Sequence, residues 1–520
     1  MKKLPVLWFF VISAALSGCS TTHRSSLNLD EKLAREYQRY DSAQQLVLTR
    51  YKDPAKPVGQ PLIQRAEWEA ALAPPADEAL TPDELVALKA RQTQRVQAAR
   101  DVAINASLID FAAWRSLPPE ERKKSIRAFC AAVPKGGMLH IHPWGTLNQA
   151  TTKTLLTRSN PTIPAAEMSK KLSDPSGRAY LYPSELAWLN SLPAKATFHT
   201  LPVADRDRLV TMGELPPGTH PFERFEAVFN FVGLAVGGDW DNLVTLYRDF
   251  AQRAVRDGVR YVEFTGSMSP EEVPRYVHLA DQLANDYGLT VRYNIAFNRT
   301  GAVADQNAKV RDMLQRIDSP YVTGIDLLAN EDHTPALETG QAVYGPVLAA
   351  ARLKGAKWHR TMHAGELGDV RNPRDAMLLG AERLGHGVRL IEDPVTLQYA
   401  AQKHIPIEIN LTSNLKLRAI DDIRNHPYLT YLRLGLPVSL STDDEGIFGI
   451  DINDDCALAV GQTDVTYYEY KEMAFNSIRT SFAAEDVKQK LLGELTARFD
   501  RFESGMRQPA RPAPGLQVLK

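Results

Sequence analysis

His140 and His142, in the stretch Met138-Leu139-His140-Ile141-His142, have the spacing of two side chains on one face of an extended strand. Two imidazoles so placed can chelate one metal ion. Pro143-Trp144-Gly145 follows at once and cannot continue a central strand, which puts the pair at a strand's C-terminal end. Further on, His363 closes Thr361-Met362-His363-Ala364-Gly365-Glu366, His386 lies in Arg383-Leu384-Gly385-His386-Gly387, and Asp443 and Asp444 end Ser439-Leu440-Ser441-Thr442-Asp443-Asp444. Taken singly, such a histidine is as readily a hydrogen-bonded core residue, and an Asp pair is more often a helix cap. Taken together, three histidines and one carboxylate suit zinc with one position left open to solvent. Zinc would bring the pKa of water towards neutrality and so supply a nucleophile.

Residues this far apart need a scaffold that gathers them. Short β-rich runs alternate with helical segments at Gly137–His142, Val259–Thr265, Thr290–Ala296, Val322–Leu327, Trp358–His363, Arg383–His386, Ile407–Leu411 and Val438–Thr442. Alternation of this kind predicts a parallel sheet with helices outside, and eight runs predict a (β/α)8 TIM barrel, whose chemistry sits at the C-terminal ends of the strands. A second metal would want a bridging group such as a lysine on the fourth strand. Thr323-Gly324-Ile325-Asp326-Leu327-Leu328 has none, so one metal per chain is expected.

The 520 residues balance 61 basic against 62 acidic side chains, which gives no electrostatic reason to expect nucleic acid as a partner. Lys2 and Lys3, the apolar stretch Leu4–Leu16, and Leu16-Ser17-Gly18-Cys19 have the layout of a bacterial lipoprotein signal. On this reading residues 1–18 are removed and Cys19 is lipidated. Export to the cell envelope follows, and Ser20 favours the outer membrane. Cys130 and Cys456 are too few for a disulfide framework and are expected as buried free thiols.

Residues 19–128 read as a tether and N-terminal helical extension. Thr81-Pro82-Asp83-Glu84 has the form of a capping box, and Leu85, Leu88, Val96, Ala99 and Val102 recur at helical spacing after it. A second helix is expected from Pro118-Pro119-Glu120 towards Cys130. These helices should pack on the following domain or on a second copy of the chain, as in a homodimer. The barrel spans 129–505 with an insertion at about 147–219, and 506–520 is a proline-rich tail.

With those residues in hand, the chain resembles the adenosine deaminase branch of the metal-dependent amidohydrolases. The matching stretches are Pro134–His142, His363-Ala364-Gly365-Glu366, Leu384-Gly385-His386-Gly387, Thr412-Ser413-Asn414-Leu415 and Ser441-Thr442-Asp443-Asp444, in the family's order. Pro134-Lys135-Gly136-Gly137 and His220-Pro221-Phe222-Glu223-Arg224-Phe225 resemble the secreted, growth-factor-related deaminases, which carry an N-terminal extension and an insertion after the first strand. The resemblance implies hydrolytic deamination of adenosine, with 2′-deoxyadenosine next. It places zinc on His140, His142, His363 and Asp443. Glu366 would protonate purine N1, which requires a raised pKa, while His386 would orient the attacking water and help to deprotonate it. Asp444 would hydrogen-bond purine N7, with the second carboxylate near the metal expected ionised. Two positions depart from the family pattern. Pro143 and Trp144 stand where an acid that binds ribose is usual, and Ala329 replaces the glycine whose amide meets purine N3. Those departures leave room for another aminated heterocycle or modified nucleoside as substrate. A catalytically inactive surface binding lipoprotein is the remaining alternative.

Overall fold

The eight apolar runs form eight parallel strands, and each is nearly fully buried because helices cover the outside and side chains fill the inside. The computed structural model describes residues 27–332, 335–355 and 358–507. The expected signal, Cys19, and the proline-rich tail from 508 onward lie outside the described residues. The strands are β1 Gly136–Ile141, β2 Val259–Gly266, β3 Thr290–Asn298, β4 Val322–Leu328, β5 His359–Ala364, β6 Arg383–His386, β7 Ile407–Ile409 and β8 Val438–Leu440. They pair in sequence order. The ring closes where the segment after β8 meets β1: Asp443 N–H donates to His140 O at 3.2 Å and His142 N–H donates to Asp443 O at 3.4 Å. The closing hydrogen bonds therefore run through three of the residues picked out for chemistry.

Ahead of the barrel lie helices α1 Leu29–Arg50, α2 Arg65–Leu72, α3 Pro82–Ala106, α4 Phe111–Arg115 and α5 Pro119–Ala132. The capping box at the start of α3 forms, with Glu84 N–H donating to Thr81 Oγ1 and Thr81 N–H donating to Glu84 Oε2. These helices lie on the chain's own barrel. Tyr51 OH donates to Gln341 Oε1 at 3.0 Å, Trp68 Nε1 to Asp375 Oδ1 at 2.9 Å, and Gln92 Nε2 to Pro394 O at 2.9 Å. The face of α3 differs from the apolar reading at two places. Val102 is exposed, whereas the polar Gln92 is buried because its amide satisfies a barrel carbonyl.

Cys130 and Cys456 are not free thiols. They form a disulfide, with Cα atoms 5.8 Å apart across 326 residues of sequence. Chain order separated them; the closed barrel brings the helix that leads into β1 against the helix Ile452–Gln462 that follows β8. Cys130→Ser or Cys456→Ser is expected to cost about 2–5 kcal/mol of stability. Chemical denaturation of wild type and variant, with and without reductant, measures it: reductant should lower the wild type to the variant's level and leave the variant unmoved.

After β1 comes a short 3₁₀ turn, Trp144–Thr146, and then the insertion, which holds four helices: α6 Gln149–Ser159, α7 Ala165–Lys171, α8 Pro183–Ser191 and α9 Val203–Thr211. They prop up α10, Phe222–Val236. Buried Arg224 on α10 makes a two-pronged ion pair with Glu185 on α8, at 2.7 and 3.0 Å. Among the described residues no helix is long and apolar enough to cross a membrane.

Candidate active site

Three strand ends, those of β1, β5 and β8, deliver the four predicted ligands to one point. One nitrogen from each of His140, His142 and His363 and one oxygen from Asp443 lie within 4.8 Å of one another, and Glu366, His386 and Asp443 form an overlapping group. His142 Nε2 is 3.2 Å from both His363 Nε2 and Asp443 Oδ1, and His140 Nε2 is 3.6 Å from Asp443 Oδ1. Backbone geometry is spent here to aim side chains. His386 and Asp443 both hold left-handed φ values near +62°, which non-glycine residues rarely adopt. Gly385 leaves room for His140, since a Cβ there would stand 2.8 Å from His140 Cε1. Gly145 does the same for Asp444, whose carboxylate would overlap any side chain at 145.

The other ring nitrogen of each predicted ligand is held by a partner. His140 Nδ1 donates to Glu408 Oε2 at 2.8 Å, His363 Nδ1 to Asp326 Oδ1 at 3.1 Å, and His142 Nδ1 to Thr265 O at 3.2 Å. Rings fixed this way turn Nε2 inward in the basic tautomer that a metal needs. His140 Nε2 is buried without a hydrogen-bond partner among the described residues. Positive charge is also favoured at this point: burial lowers the His142 pKa, but Asp444 and Asp443 outweigh it and carry the ring up to about 10. Donor set, tautomers, orphaned nitrogen and electrostatics all fit a divalent cation bound by His140, His142, His363 and Asp443.

Asp326 and Glu408 do not stand out in the sequence, because a lone acid within a strand looks the same whether it faces a site or solvent. Glu408 also accepts from Arg383 Nε at 2.6 Å and Thr361 Oγ1 at 2.9 Å, and Arg383 reaches Glu263 at 2.6 Å, so His140 is braced from across the barrel interior. Asp326→Ala leaves His363 free to turn and is expected to weaken metal binding 10- to 100-fold, roughly the usual cost of losing such a partner. Competition against a chromogenic chelator measures it.

Glu366 follows β5, and its own backbone N–H and that of Gly365 donate to Glu331 at 2.9 and 2.8 Å. Burial, reinforced by the Asp443 and Glu331 carboxylates, pushes the Glu366 carboxyl well above its usual value, in the direction a proton donor requires. Asp443 is the opposite case: burial would raise it, but His142, His140 and His386 hold it well below the usual range. Asp444, expected ionised, is instead pushed well above its usual value by burial and by the charge of Asp443. Two adjacent carboxyls in one closed chamber cannot both carry charge cheaply, and the one nearer the imidazoles takes it.

A cavity of about 820 Å³ opens beside His142, lined also by Pro143, Trp144, Phe229, Trp240 and Tyr276. Trp144 stands partly exposed at this mouth. Ala329, after β4, has φ +86°, so the backbone keeps the turn a glycine would give and accepts the strain of a methyl group. Glu226 on α10, which the sequence reading missed, is a carboxyl raised to about 7 by burial, close enough to feel the charge of His142.

Residues 187–498 match the family described as adenosine deaminase. The chain belongs to the adenosine deaminase family. Adenosine deaminase of Escherichia coli O1:K1 is 28% identical over 264 residues, covering 47% of this chain and 74% of that protein. The enzyme of Salmonella schwarzengrund is equally similar, at 28% over 263 residues with the same coverage. Among solved structures, adenine deaminase from Arthrobacter aurescens superposes with a TM-score of 0.53 at 23% identity, over 71% of this chain and all of that one. The N6-methyl-AMP deaminase of Arabidopsis thaliana gives 0.52 at 19%, over 71% and 98%. An amidohydrolase from Burkholderia ambifaria with bound zinc gives 0.52 at 20%, over 73% and 94%. Like its family, the chain is a hydrolytic deaminase acting on C–N bonds.

Proposed function

We propose that this member of the adenosine deaminase family converts adenosine, and 2′-deoxyadenosine, to inosine or deoxyinosine and ammonia, with one zinc ion. The observation that carries this reading is the convergence of three imidazoles and Asp443 on one point beside Glu366, a buried carboxyl pushed well above its usual value. Zinc held by His140, His142, His363 and Asp443 would supply the Lewis acidity that makes water nucleophilic near neutral pH. The rest falls to side chains. Glu366 gives its proton to purine N1, which draws electrons from C6 and makes it the point of attack. His386 orients the water that adds to C6. Purine N7 is an acceptor, so protonated Asp444 donates to it. The bond from C6 to nitrogen then breaks: one proton of the added water goes to the amino group, which leaves as ammonia, and the other restores the proton that Glu366 gave to N1. We propose further that Glu226, a half-buried carboxyl on α10 that feels the charge of His142, takes the part of the acid missing at Pro143-Trp144 as a partner for sugar hydroxyls.

The same Pro143-Trp144 departure favours a second reading, a modified nucleoside or nucleotide as substrate. Purified protein loaded with zinc and incubated with adenosine, 2′-deoxyadenosine, adenine and AMP, while ammonia is followed, decides between them. Rapid turnover of a nucleoside is expected; a full complement of zinc with no turnover of any of the four overturns the adenosine reading. We also propose that the chain works outside the cytoplasm, anchored by lipid on Cys19. The Cys130–Cys456 disulfide supports this, since such bonds persist in oxidising compartments.

A further inference from the structure

Asn414 and His426 have no role in the reaction as described, yet both are buried and lie in line with His386. Tyr428 N–H, which can only donate, points at His426 Nδ1 at 3.2 Å. His426 Nδ1 must therefore be the bare nitrogen, and the ring's proton sits on Nε2. His426 Nε2 lies 3.0 Å from Asn414 Oδ1 and donates to it. With its oxygen so engaged, the Asn414 amide turns Nδ2 towards His386 and donates to Nδ1 at 2.9 Å. Asn410 Nδ2 approaches the same nitrogen at 3.5 Å. One backbone amide thus sets the direction of every hydrogen bond in the chain. Burial lowers the His426 pKa to about 3, so the ring stays neutral and the direction does not reverse in the physiological range.

We propose that Asn414 and His426 are positioning residues that fix the proton of His386 on Nε2, so that this ring meets the attacking water as a hydrogen-bond donor and orients it, in place of the proton-accepting role that the family resemblance implies. The proposal deepens the deaminase reading and rests on it for the role of His386. The tautomer itself does not depend on which substrate is turned over.

The test is ¹⁵N NMR of the zinc-loaded protein labelled at histidine, with the His386 signals found by their loss in His386→Gln. Wild type should show the Nε2–H pattern at His386. His426→Leu removes the donor to Asn414, lets the amide turn over, and should switch His386 to Nδ1–H with at least a tenfold fall in kcat. His426→Gln, whose amide can still donate to Asn414, should keep the Nε2–H pattern and stay within about threefold of wild-type kcat. An Nδ1–H pattern in wild type, or an unchanged tautomer in His426→Leu, overturns the proposal. If His426→Leu does not fold, the wild-type spectrum alone still decides. An Nε2–H pattern without turnover of any nucleoside would sink the adenosine reading and leave the relay standing; turnover with Nδ1–H would do the reverse.

Discussion

Glu366→Gln is expected to lower kcat about a thousandfold while leaving the metal in place, within the range that loss of a general acid costs. Glutamine keeps the shape of the side chain and can still accept from its neighbours, but it has no proton to give to N1. Glu366 is held protonated by burial and by the charges of Asp443 and Glu331, so the wild-type rate should fall as pH rises through its raised pKa. Stability carries the same signature. The folded state keeps a proton that the unfolded chain releases above the ordinary value of 4.5, so wild-type stability is complete below that value and declines as pH rises above it. The variant lacks this ionisation and should be the more stable protein at pH 8. Ammonia release, metal content and denaturation at pH 6, 7 and 8 check all three; wild-type turnover by the variant would remove Glu366 from the reaction.

The barrel was legible in the sequence because each strand is a short apolar run, and the first, fifth, sixth and eighth also carry a histidine or aspartate at or just past their ends. His140, His142, His363, His386 and Asp443 could be picked out on that basis, and the structure brings them together. What escaped depends on contacts between distant segments. Asp326 and Glu408 matter only through the rings they hold, and those rings sit on other strands. The pairing of Cys130 with Cys456 follows from closure of the barrel rather than from any spacing. Likewise the protonation of Asp444 cannot be read from an Asp-Asp pair; it needs the burial of both side chains and the imidazoles that make Asp443 the better anion. Glu226 feels the charge of His142 from α10, a helix that the insertion braces through the Arg224–Glu185 ion pair.

That asymmetry between neighbouring acids gives the other large effect. Asp443→Asn is expected to lower kcat/KM at least about a thousandfold and to weaken metal binding, whereas Asp444→Asn should keep the metal and cost about tenfold. Asp443 Oδ2 accepts from Ser413 Oγ at 2.8 Å, which leaves Oδ1 facing His142 and His140. An amide there removes the negative charge that opposes a divalent cation among three neutral imidazoles. Burial and the charge of Asp443 push the Asp444 carboxyl towards its neutral form, so an amide at that position still donates to N7 and changes the charge of the site little. Backbone strain does not confound the comparison, because asparagine tolerates the left-handed φ of 62° at position 443 as well as aspartate does. Metal content and kcat/KM measured side by side on the two variants separate the roles. Equal losses would mean that both acids are ionised and share the metal, and the assignment of Asp444 as a proton-bearing contact to N7 would then fail.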